Sequence, residues 1–189
     1  MKIIFLDVDG VLNCSTTTRG WGEMRFVDTR KMYRVREICD RTGAKVVISS
    51  SWRWGAREDA SPWDKIQWEA LLHEFDKHRI PVIGHTPFAF DGDRGNEIRT
   101  WLKMQEEPVE QFVVIDDIII DLAQFAADGR LVVTTDKDGL NKERMEKAIS
   151  ILGEDKIQAI FTKMEEAIDR CDRKITKKVN EINNRKEQL

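Results

Sequence analysis

Asp7 and Asp9, separated by one valine, directly follow the apolar run Lys2–Leu6. Asp116 and Asp117 follow the run Gln111–Ile115 in the same way, and Asp121 comes four residues later. A third run, Lys45–Ile48, ends in Ser49, Ser50 and Ser51. If these three runs are neighbouring strands, their ends gather at least four carboxylates and a group of hydroxyls. Like charges do not crowd together without compensation. A hard divalent cation supplies it, and Mg²⁺ favours oxygen ligands of this kind. With a phosphate bound as well, a nearby cation such as Arg94 balances further charge.

The elements that would position these residues can be read from the pattern. Lys2–Leu6 and Lys45–Ile48 are short, β-branched and stopped by polar residues, which predicts buried strands. Further strands are expected at 81–83, 111–115 and 131–134. Helices are expected at 28–41, with Asp28 as N-cap and Gly43 past the end, and at 63–78, 95–104 and 118–127. Residues 13–27, 51–62 and 84–93 read as loop or irregular chain. Alternating strands and helices predict an α/β fold, a doubly wound parallel sheet. In such sheets, ligands bind beyond the carboxyl ends of the strands, where the acids and serines stand.

The segment Phe-Leu-Asp-Val-Asp-Gly-Val-Leu-Asn at 5–13 resembles the first motif of the haloacid-dehalogenase superfamily. Val-Val-Ile-Ser at 46–49 matches its second motif, and Val-Val-Ile-Asp-Asp at 113–117 its fourth. Arg94, opening a helix, suits the third, a lone basic residue. The motifs span residues 3–121. Ser50-Ser51-Trp52-Arg53 is also similar to small phage-like members and to the related domain of RNA-repair proteins. The resemblance implies a Mg²⁺-dependent phosphomonoesterase. Asp7 would be the nucleophile that takes the phosphoryl group, and Asp9 the general acid and base. The metal ligands would be Asp7, the backbone carbonyl of Asp9 and an acid from the pair Asp116 and Asp117. Ser49 or Ser50 would hold a phosphate oxygen, Arg94 would neutralise charge, and Gly10 would allow the tight turn after the nucleophile. Asp121 is either a holder of a metal ligand or a solvated helix residue.

The intervals between motifs leave no room for an inserted cap domain beyond what the core itself needs. An open site favours a bulky substrate whose phosphate protrudes, or one covered by short loops. Trp52, Arg53 and Trp54 follow the serines, and Trp21 lies in the first loop. Indole and guanidinium faces stack on bases, which points to a nucleotide or a nucleic-acid end. The alternative is that Trp52 and Trp54 pack the following helix against the sheet. Trp68 and Trp101, in helical patterns, read as core. A phosphatase for another small metabolite and a non-catalytic scaffold are the competing functions. Intact Asp7 and Asp9 argue against the scaffold.

Composition sets the outer bounds. The 189 residues are 41% hydrophobic and 34% charged, with a net charge of −3. These values describe a globular chain with no global attraction for polyanions. Cys14, Cys39 and Cys171 form no CxxC pair, so neither a disulfide framework nor a zinc site is expected. A reducing cytoplasm is the natural compartment for such cysteines, and no run approaches the roughly 18 apolar residues of a membrane span. The core is expected to cover 1–152 and a C-terminal amphipathic helix 153–189. The helical stripe comprises Ile157, Phe161, Met164, Ile168, Cys171, Ile175, Val179 and Ile182. It packs either on the core or on a second copy of the chain, as a homodimer.

Overall fold

The computed structural model describes residues 1–17, 27–89 and 92–186. Trp21 lies outside the described residues, as do most of the first loop and the side chains of Ile157, Val179 and Ile182. Five strands form one parallel sheet: β1 (Lys2–Leu6), β2 (Lys45–Ile48), β3 (Val82–His85), β4 (Gln111–Asp116) and β5 (Leu131–Val133). Their order is β3-β2-β1-β4-β5. The chain therefore lays β2 and β3 to one side of β1, then returns to place β4 on the other. The strand order reverses between β1 and β4, and this switch point is where an open α/β sheet offers a crevice.

Side-chain alternation assigns the two faces. Ile4 and Leu6 of β1, Val46 and Ile48 of β2, and Val113 and Ile115 of β4 join one core. Helices α1 (Thr29–Thr42), α2 (Pro62–Lys77) and α5 (Lys142–Leu152) cover it, through residues such as Met32, Phe75 and Ile149. Ile3, Phe5, Val47 and Val114 face the opposite way, beneath α3 (Arg94–Lys103) and α4 (Ala123–Ala127). Trp101 belongs to that second core, with its ring edge-on to Phe5 at 5.4 Å, and Trp68 packs against the first. The fold is thus the doubly wound α/β sandwich that the pattern predicts.

The differences are local. The stretch after β2, read as irregular, holds a 3₁₀ helix at Ser51–Ala56, capped by the Ser50 side chain. Gly55 lets this turn lie against α2, because a Cβ there would come within 2.1 Å of the Asp64 carbonyl. The helix expected at 118–127 divides into a 3₁₀ turn, Ile120–Leu122, and α4. After α5, the chain turns at Gly153 into α6 (Lys156–Lys186). This helix meets α1 and is tied to the core by the Arg79–Asp169 ion pair at 2.9 Å. Ile160, Phe161, Met164, Ile168 and Ile175 of α6 remain exposed.

Candidate active site

Asp7 is the first residue past β1, and Asp116 is the last of β4. Because β1 and β4 pair in parallel, with Leu6 opposite Ile115, the two carboxylates emerge side by side at the switch point. Both are buried, at 3% and 0% exposure. Arg94, the first residue of α3, reaches in from the opposite layer. Its Nη1 lies 2.5 Å from Asp116 Oδ2 and 3.4 Å from Asp7 Oδ2. Asp93 caps α3 through the Asn96 backbone N–H, which fixes where Arg94 starts.

Asp117 closes the cluster from above. A Cβ at position 10 would meet Asp117 Oδ2 at 2.2 Å, and Gly10 has φ +68°. Residue 10 must therefore be glycine for two reasons: the left-handed turn and the carboxylate lying over it. Ligand oxygens of Asp7, Asp116 and Asp117 lie within 4.8 Å of one another.

Electrostatics bear the strain of this arrangement. Burial, the largest influence, pushes the Asp7 carboxyl up to about 7. Arg94 opposes that rise, Asp116 adds to it, and the Ser50 hydroxyl donates a hydrogen bond that lowers it. Burial likewise raises Asp116, against the pull of Arg94 and the Ile118 backbone N–H, with Asp117 adding repulsion. One guanidinium is too little charge for three gathered carboxylates. An all-oxygen, anion-rich donor set fits a hard divalent cation, and these three residues can hold one.

Asp9 stands apart and is exposed at the mouth. Each of its oxygens is held: Oδ1 accepts from Asn13 Nδ2 and Oδ2 from Trp52 Nε1, both at 2.8 Å. Of the two candidate serines, Ser50 faces Asp7, while the Ser49 hydroxyl is buried without a hydrogen-bond partner. Trp52 is buried and turned toward Asp9, whereas Trp54 is 53% exposed. Arg53 is also buried. It forms an ion pair with Glu97 and donates from Nη1 to the Ser50 carbonyl at 2.7 Å.

The structure thus brings Asp7, Asp116, Asp117, Arg94, Gly10 and Ser50 into one cluster, with Asp9 at its edge. Reading the residues alone missed that Trp52 and Asn13 position Asp9, although two signals pointed there. One available signal was that a buried indole N–H requires an acceptor. The other was the spacing of Asn13, four residues after Asp9.

The family of HAD domains found in Swiss Army Knife RNA repair proteins matches residues 3–145. The chain belongs to that family. The match takes in all of the five strands except Lys2, and every residue of the cluster, so the HAD domain and the site coincide. The family suggests a hydrolase, and the acidic cluster agrees with a metal-using one. No curated protein and no solved structure matches the chain. Among the described residues of this HAD domain protein, no helix is long and apolar enough to cross a membrane.

Proposed function

We propose that this HAD domain is a Mg²⁺-dependent phosphomonoesterase that works through an aspartyl phosphate on Asp7. The observation that carries the reading is the Asp7–Arg94–Asp116 cluster at the switch point, with Asp9 held at its edge by two N–H donors. Asp7 attacks phosphorus; the bond to the leaving oxygen breaks, and Asp9 gives that oxygen a proton. Asp9 then takes a proton from water as the water attacks the same phosphorus. The bond to Asp7 breaks, phosphate leaves and the carboxylate is restored. Arg94 and Ser50 hold the oxygens of the transferring group. Mg²⁺ held by Asp7, Asp116 and Asp117 supplies positive charge that stabilises the same oxygens.

Among the described residues no cap domain is inserted between the core elements, which supports a substrate larger than a buried metabolite. The family's place in RNA repair proteins supports a nucleotide or a nucleic-acid end. The test is a panel of nucleoside monophosphates, 3′- and 5′-phosphorylated oligonucleotides and sugar phosphates, assayed with and without Mg²⁺. Phosphate release that needs Mg²⁺ and vanishes in Asp7→Asn is the expected result. No release from any phosphomonoester would overturn the reading.

A further inference from the structure

A pocket of about 170 Å³ opens directly beside Arg94, lined by Arg53, Trp54, Arg57, Phe88 and Glu97 among others. It is joined to the nucleophile through Arg94, and through the 3₁₀ turn whose capping residue, Ser50, hydrogen-bonds Asp7. The pocket carries three guanidinium groups, each already paired with a carboxylate. Arg53 pairs with Glu97, Arg57 with Asp59, and Arg94 with Asp7 and Asp116. The Glu97 carboxylate is used up too, by Arg53 and by the Ala89 backbone N–H. The remaining surface is aromatic: Trp54 is 53% exposed and Phe88 40%.

These features select a class of ligand. A charge-balanced pocket disfavours a second phosphate or carboxylate. Exposed indole and phenyl surfaces favour a flat, neutral group. A heteroaromatic base is such a group, and base stacking on such side chains tolerates any sequence. We infer that this pocket seats the nucleobase adjoining the phosphate held at Asp7, with Trp54 as the stacking surface and Phe88, which the Arg53 and Arg57 guanidiniums approach at 5.2 and 5.6 Å, as an apolar wall. The assignment rests on the phosphatase reading for the location of the phosphate. It makes Trp54 and Phe88 the determinants of substrate choice, and excludes Trp52, which is committed to Asp9.

Binding is measured by calorimetry on the Asp7→Asn protein with Mg²⁺, using adenosine and guanosine 3′- and 5′-monophosphates against ribose 5-phosphate. The nucleotides are expected to bind roughly 5- to 150-fold more tightly, the range that stacking on one aromatic group provides. Adding Trp54→Ala, or separately Phe88→Leu, is expected to remove most of that advantage. Tyr33→Ala, an exposed aromatic on α1, should preserve it. Equal affinity for nucleotides and ribose 5-phosphate overturns the inference. So does an advantage that survives both pocket substitutions in proteins with unchanged circular dichroism. Failure of wild-type turnover on every phosphomonoester would remove the phosphatase reading, yet leave the binding comparison decisive for the pocket.

Discussion

The indole N–H of Trp52 donates to Oδ2 of Asp9 across 2.8 Å, joining the turn after β2 to the turn after β1. Asn13 holds the other oxygen, so Asp9 presents a fixed carboxylate although it is exposed. Trp52→Phe keeps a buried ring and loses only the donor. Because proton transfer contributes about 10²- to 10⁴-fold to such reactions, kcat is expected to fall about 10-fold or more, with KM little changed. A purely structural tryptophan would instead lower the melting temperature and leave kcat unchanged.

Asp7→Asn should abolish turnover, by more than about 10³-fold or ~4 kcal/mol of barrier. The same substitution has an opposite effect on stability in metal-free protein. Burial foremost raises Asp7 from 3.8 to about 7, so the folded state retains a proton that the unfolded chain releases. Stability therefore falls as pH rises from about 4 to about 7. Asparagine carries no such charge. The metal-free variant should melt higher than wild type at pH 8 and alike at pH 4, as followed by thermal denaturation. A variant that melts lower at pH 8 would contradict the electrostatic account of the cluster.

Mg²⁺ should raise the melting temperature of the wild-type protein, since a ligand that binds only the folded state stabilises it. Asp117→Asn and Asp116→Asn should each reduce that gain. Ca²⁺ is expected to support turnover poorly, because it accepts more ligands and a looser geometry. Full turnover in excess chelator would refute the metal requirement.

Ser50→Ala and Ser49→Ala should differ in kind. Ser50 donates to Asp7 and caps the 3₁₀ turn, so its loss is expected to lower kcat/KM about 10-fold or more. The Ser49 hydroxyl is buried without a partner, and replacing it with a methyl group should leave stability unchanged or raise it by about 1 kcal/mol. Equal loss of activity in both variants would show that the substrate rotates Ser49 into the site.

The sequence by itself determined the sheet, the strand ends and the identities of the charged residues. Period and composition mark buried parallel strands, and polar residues that interrupt an apolar run mark where each strand stops. Asp7, Asp116 and the serines could therefore be placed at one edge before any distance was known. Arg94 was legible as a helix start and as a candidate cation for the site, but its contacts were not. Its reach to both aspartates depends on α3 covering the face opposite α1, a matter of layer packing. The roles of Ser50 and Trp52 were decided by tertiary structure, because a 3₁₀ turn rotates successive side chains by about a third of a circle. That rotation turns the Ser50 hydroxyl to Asp7, Trp52 to Asp9, Arg53 inward to Glu97 and Trp54 out to the pocket. No periodicity in the five residues 50–54 encodes which of them faces the site. The close packing of Gly55 on α2 and the shape of the crevice settle it.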